Sequence, residues 1–158
     1  MAIDAQNLEK LHIDAEKEVV NFSYKKPDSV ERGKGFIKLV RSPLIKGNIQ
    51  VIKKNGGENN LHYHHSVDTF WMVISGRVRF YGPDDVVTGE FGPLEGTVTP
   101  RYSRYWFENC GEGDAELLQV AAMAAPNLAD GGRTDVSPQK FKVGDVPYFD
   151  AMKEKEKA

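Results

Sequence analysis

The chain has 158 residues, 40% hydrophobic and 28% charged, with a formal net charge of −2 and a pI of about 6.1. That is an ordinary globular composition, sized for one domain that can bury a core without covalent staples. The near-neutral charge excludes a broad electrostatic field for nucleic acid or an anionic membrane, and the single cysteine, Cys110, excludes an internal disulfide. No apolar run is long enough to span a membrane, and the first residues lack the apolar core of a secretory signal. The expected location is the cytoplasm, with neither nucleic acid nor membrane as partner.

Residues 4–20 predict a short amphipathic helix, with Leu8, Leu11, His12, Ala15 and Val19 near one face and Asp4 as its cap. Nothing near His12 completes a site, so it reads as a packing or surface residue. Residues 21–34, with Pro27 and Gly33, read as an arm. From residue 35 on, short strand signals recur: 35–41, 47–53, 60–65, 69–75, 77–82, 86–91, 96–100, 104–109 and 114–123. The turns between them carry Gly, Pro, Asn or Asp, as in Asn55-Gly56-Gly57 and Gly82-Pro83-Asp84. Many short strands with such turns predict an all-β sandwich or barrel. After Pro126 the pattern fades into a turn at Asp130-Gly131-Gly132. An irregular stretch follows, whose apolar Phe141, Val143, Val146, Tyr148 and Phe149 are expected to dock on the barrel or a partner subunit. A charged tail closes the sequence.

Three of the four histidines, His62, His64 and His65, fall within four residues, between a Gly- and Asn-rich turn and a β-branched, aromatic run. In a strand, residues two apart share a face. His62 and His64 therefore converge, while Tyr63 and His65 point the other way. The stretch resembles the first motif of the cupin superfamily, G-x5-H-x-H-x3,4-E-x6-G. Gly56, His62, His64 and Gly76 stand at its spacing. At the carboxylate position stands Thr69, with Asp68 one residue away and of opposite strand parity. The stretch 96–109 loosely resembles the family's second motif, G-x5-P-x-G-x2-H-x3-N. Pro100 and Asn109 match, Tyr102 stands for the glycine, and Tyr105 for the histidine. The likeness covers about residues 47–123.

The resemblance implies a cupin jelly-roll barrel (a double-stranded β-helix) over 35–125, preceded by the helix and arm of 1–34 and followed by an extension over 126–158. It also implies a divalent ion (Fe, Mn, Ni or Zn) at His62 and His64, a small organic ligand and a homodimer. Two of the usual four ligands are replaced by Thr69 and Tyr105. Typical divalent sites use three or four His, Cys or carboxylate groups. Tyr105 is then the candidate catalytic group, as ligand, acid or base, or else an aromatic wall filling the lost ligand's volume. Strand parity puts Trp71 on the face of Thr69 and Phe107 on that of Tyr105, where they would line a small apolar pocket. Phe70 and Trp106 are expected on the other face. Arg101, and beside it Arg104, is either a solvated strand end or the fork that reads a substrate carboxylate. Gln50 and Gln119 are candidate polar contacts. Three readings stay open: a metal-dependent oxygenase, isomerase or lyase acting on a small organic acid, a metal-free barrel binding an apolar or aromatic molecule, and a non-catalytic dimer.

Overall fold

A computed structural model describes residues 2–30, 33–128 and 131–136, and the backbone of 148–150. Helix α1 spans Ala5–Lys17, and the Asp4 carboxylate accepts from the backbone N–H groups of Gln6 and Asn7 at its start. None of its residues is buried; Leu8, Leu11 and Ile13 are all exposed.

The strands are β1 (Lys34–Arg41), β2 (Ile45–Ile52), β3 (His62–His64), β4 (Val67–Ser75), β5 (Val78–Tyr81), β6 (Val87–Phe91), β7 (Gly96–Thr99), β8 (Trp106–Asn109), β9 (Ala115–Met123), β10 (Arg133–Asp135) and β11 (Tyr148–Asp150). The nine expected strands are present with ends moved by a few residues. β10 and β11 fall where the sequence reads as irregular. They are three residues long and lack a run of alternating apolar residues, and what defines them is pairing with β3 and β1. Phe141, Val143, Val146 and the tail lie outside the described residues.

One sheet has the order β11-β1-β2-β9-β4-β7. The other layer combines β6-β5-β8 with the β10-β3 pair, joined through an antiparallel bridge between His62 and Tyr105. The two layers enclose Ile52, Trp71, Val73, Val78, Phe80, Tyr105, Phe107, Ala115 and Leu117. On the outer face of the large sheet, Val30 and Tyr24 of the arm cover Ile37, Leu39, Ile49 and Val51. The Tyr24 hydroxyl bonds the Glu116 carboxylate at 2.6 Å and fixes the arm there. Farther along that face, Phe70 on β4 opposes Val98 on β7, and both are exposed.

Two glycines are required by close backbone approach. A Cβ at Gly96 would lie 1.8 Å from the Trp71 carbonyl oxygen, so only glycine lets β7 lie against β4. Gly76, with φ of +80°, would place a Cβ 2.7 Å from the Asp114 carbonyl oxygen.

Candidate binding site

His62 and His64 leave β3 on the same side, and their ring centroids are 5.2 Å apart. His62 is almost fully buried, and its Nδ1 lies 2.7 Å from the Asn60 carbonyl oxygen. The proton belongs on Nδ1, since a carbonyl can only accept, so Nε2 is left with its lone pair. Burial, and secondarily the charge of Arg133, lower the His62 pKa from 6.5 to about 3, so the ring is neutral at any ordinary pH. Tyr105 packs on His62 at 4.5 Å between centroids. Burial raises its phenol to about 12, opposed by its hydrogen bond to Thr99 and by Arg133, so the group is a neutral hydroxyl rather than a phenolate.

Thr69 is buried on β4, opposite Thr99 of β7 and Ala121 of β9. Next along the strand on the same face, Trp71 donates from Nε1 to Thr99 Oγ1 at 2.9 Å. Its ring meets Phe107 at 5.2 Å and Tyr105 at 6.0 Å, and Phe80 meets Phe107 at 5.1 Å. Trp71, Phe107 and Tyr105 therefore share one face, but the first two fill the barrel floor against one another instead of standing around a hollow. Tyr105, at the upper edge of this packing, borders the polar layer above it.

Arg101 is kept apart from this group. It sits on an exposed turn, its backbone N–H donates to Asp68 Oδ1 at 2.8 Å, and its side chain points to the same carboxylate. Asp68 is thereby held on the outside, the face its parity dictates. Arg104 is exposed as well. Trp106 faces out of the barrel, stacked on Tyr81 at 4.1 Å and bonded through Nε1 to Asp85 Oδ1. The His65 ring is exposed and lies against the backbone of Gly132, whose φ is +67°.

The structure brings in residues that the sequence does not mark. In the β10–β3 pair, Arg133 stands opposite His64 and Asp135 opposite His62, and opposed residues share a face. Arg133 donates from Nε and Nη2 to Asp135 Oδ1 at 3.0 and 2.8 Å. Its charge reaches His62, Tyr105 and Lys34. Lys34, the first residue of β1, is opposite Ile52 and buried, with its Nζ 4.9 Å from the centroid of the Phe107 ring. Gln50 and Gln119 join within the barrel by a 2.8 Å bond from Gln50 Nε2 to Gln119 Oε1. The only hint of Arg133 and Asp135 in sequence is an alternation of charges after Gly131-Gly132.

These donors can be weighed against the metal the motif implies. Among the described residues, no three His, Cys, Asp or Glu side chains are placed to share an ion. Thr69 and Tyr105 are neutral hydroxyls, Asp68 faces outward, and Asp135 is engaged by Arg133. Two imidazoles remain, which do not make up the three or four strong ligands of a typical divalent site.

Two positions of the second motif have backbone roles. Tyr102, at the glycine position, has φ of +68°, the left-handed conformation that glycine adopts freely. Asn109 donates to the carbonyls of Ile52 and Gly113 and accepts from Gly111 N–H, so this side chain closes the β8–β9 turn.

No family model matches the sequence, and no curated relative matches it. Solved structures do. The chain has the cupin fold. An RmlC-like cupin family protein from Methanocaldococcus jannaschii superposes with a TM-score of 0.54 at 18% identity, over 65% of this chain and 89% of that one. KdgF from a Halomonas species gives 0.56 at 15% identity, over 65% and 92%. The polyketide cyclase RemF from Streptomyces resistomycificus gives 0.56 at 18% identity, over 77% and 82%. The cupin barrel expected over the middle of the chain is therefore present.

Proposed function

We propose that the barrel binds a small organic acid between its two layers, and that no tightly held metal is needed to do so. The observation that carries this reading is the β10–β3 pairing. It sets a guanidinium beside the His64 ring, the neutral His62 imidazole and a neutral phenol, over a buried aromatic floor. Arginine matches a carboxylate with two parallel N–H bonds, and Arg133, on an exposed strand, is open to an incoming acid. Asp135 occupies one side of the Arg133 fork and can share or yield it. His62 Nε2 accepts a hydrogen bond from a ligand hydroxyl, and the Tyr105 hydroxyl can donate one. The carboxylate reading assigned in sequence to Arg101 thus moves to Arg133.

Enzymes share the fold, among them oxalate oxidase, one structure of which holds the substrate analogue glycolate. Fold alone does not select among activities. As a catalyst, this site would act through Tyr105 as proton donor and His62 as acceptor.

A second reading has one observation in its favour. His62 is oriented through Nδ1 by the Asn60 carbonyl, as metal-bound imidazoles commonly are. On that reading the ion is held loosely by two histidines, and the ligand completes its shell.

Titration of the protein with glycolate, lactate and pyruvate, followed by NMR shift changes, tests the first reading. Binding should persist in EDTA and fall at least about tenfold in Arg133→Met, the worth of a charged hydrogen bond. It should be unchanged in Arg101→Ala. Binding that EDTA abolishes and a divalent ion restores favours the second reading.

A homodimer belongs to the same proposal. Phe70, Val98 and Leu94 are exposed together beside the arm-covered face, and a second copy would cover them. Light scattering at micromolar concentration should give twice the chain mass, and Phe70→Glu should halve it.

A further inference from the structure

Lys34 is the buried charged group for which the proposed site has no use. It is 7% exposed, and among the described residues its ammonium has no hydrogen bond or ion pair. The ammonium lies 4.9 Å from the centroid of the Phe107 ring. A lysine taken from water and set near a second cation has its neutral, nucleophilic form favoured. Both conditions are met here. Burial first, then the charge of Arg133, lower its pKa from 10.5 to about 7, with Glu58 opposing.

A second observation points to a ligand at the same place. Gln50 stands one step along the interior face from Lys34, since Lys34 opposes Ile52 and Phe36 opposes Gln50. The Gln50 side chain is 3% exposed and donates from Nε2 to Gln119, while its Oε1 has no partner. A buried acceptor left unmatched is destabilising, and a ligand hydroxyl would satisfy it.

We propose that Lys34 is a nucleophilic amine that condenses with the carbonyl group of a small 2-oxo acid whose carboxylate Arg133 holds. The assignment rests on the carboxylate reading of the site. The Lys34 Nζ lone pair attacks the carbonyl carbon, and the carbonyl oxygen takes one proton from that nitrogen to give a carbinolamine. Gln50 Oε1 accepts the hydrogen bond of the new hydroxyl. That hydroxyl leaves as water with the nitrogen's second proton, and the C=N bond of an imine forms. No oxidant or reductant is consumed.

The test is reductive trapping. The full chain is incubated at pH 7.5 with pyruvate and sodium cyanoborohydride, and the adducts are located by peptide mass spectrometry. The expected result is one adduct per chain, on Lys34, formed at least tenfold faster than on the exposed Lys10 and Lys17. Lys34→Met, shown folded by circular dichroism, should lose it, and Arg133→Met should slow it about tenfold. Lactate has the carboxylate but no ketone, and its binding is followed by NMR in parallel. Lactate binding without a Lys34 adduct from pyruvate overturns the role of the amine and leaves the carboxylate site standing. No binding of either acid overturns both. Adducts on Lys34 no faster than on Lys10 and Lys17 overturn the proposal.

Discussion

Replacing Lys34 by Met tests the environment of the amine without any ligand. The linear apolar side chain keeps the stem and removes the charge. In the folded chain Lys34 gives up its proton near pH 7, and in the unfolded chain near 10.5. Between those values the unfolded state binds the extra proton, so stability rises with pH by about 1.4 kcal/mol per unit. Below pH 7 both states are protonated and the full penalty of about 5 kcal/mol stands; above 10.5 it is gone. The Met variant has no such dependence. It forfeits the attraction of the ammonium for the Phe107 ring, about 1 kcal/mol. Lys34→Met should therefore be more stable than the parent by about 3–4 kcal/mol at pH 6, and that advantage should shrink by about 2 kcal/mol between pH 7 and pH 9. Urea unfolding of both proteins at pH 6, 7, 8 and 9 measures it, and taking the difference removes every other titrating group. A gap that stays constant across that range, or a Met variant less stable at pH 6, would refute the argument that Lys34 is desolvated and unpaired.

Three further outcomes follow from the described contacts. Burial holds His62 neutral with a pKa near 3 against 6.5 when unfolded, so stability should fall as pH drops through that window. His62→Gln should flatten this fall by about 1.4 kcal/mol per pH unit, read from urea midpoints at pH 6, 5 and 4. Gly96→Ala drives a methyl into the Trp71 carbonyl; it should cost about 3 kcal/mol or more and lower the thermal midpoint, whereas Gly113→Ala, with open space around it, should leave the midpoint nearly unchanged. Asn109→Ala removes three side-chain hydrogen bonds at the β8–β9 turn and should cost about 2–3 kcal/mol in denaturant unfolding.

The barrel could be read from the sequence because its signals are local. Alternation, β-branched runs and turn residues mark nine strands, and Gly76 and Asn109 hold their places for reasons of backbone geometry. His62 and His64 could be paired because period two is a property of any strand. Arg101 could not be placed, since strand parity does not apply on a turn, where it follows Asp68 outward. Strand parity puts Trp71 and Phe107 on the interior face, where both lie, but whether rings line a hollow or fill it depends on side chains from four other strands. Arg133 and Asp135 enter through long-range pairing with residues about seventy positions earlier, and the alternation of charges after Gly131-Gly132 does not say which strand they meet. Lys34 likewise reads as a charge at the mouth of an arm until β2 and β8 are laid against it.

The short strand β10 has a consequence in time. Three register pairs and the flanking bonds from Val136 N–H to Leu61 O, His65 N–H to Gly132 O and Ser66 N–H to Gly131 O tie this segment to the barrel among the described residues. Neither the six-stranded sheet nor the aromatic floor depends on it, so it can lift away at a small fraction of the cost of global unfolding. In hydrogen exchange, amides of 133–136 should therefore exchange orders of magnitude faster than those of β4 and β9. A bound acid spanning Arg133 and the interior would slow them selectively. The lifetime of that segment, rather than the stability of the barrel, would then set how quickly a ligand enters and leaves.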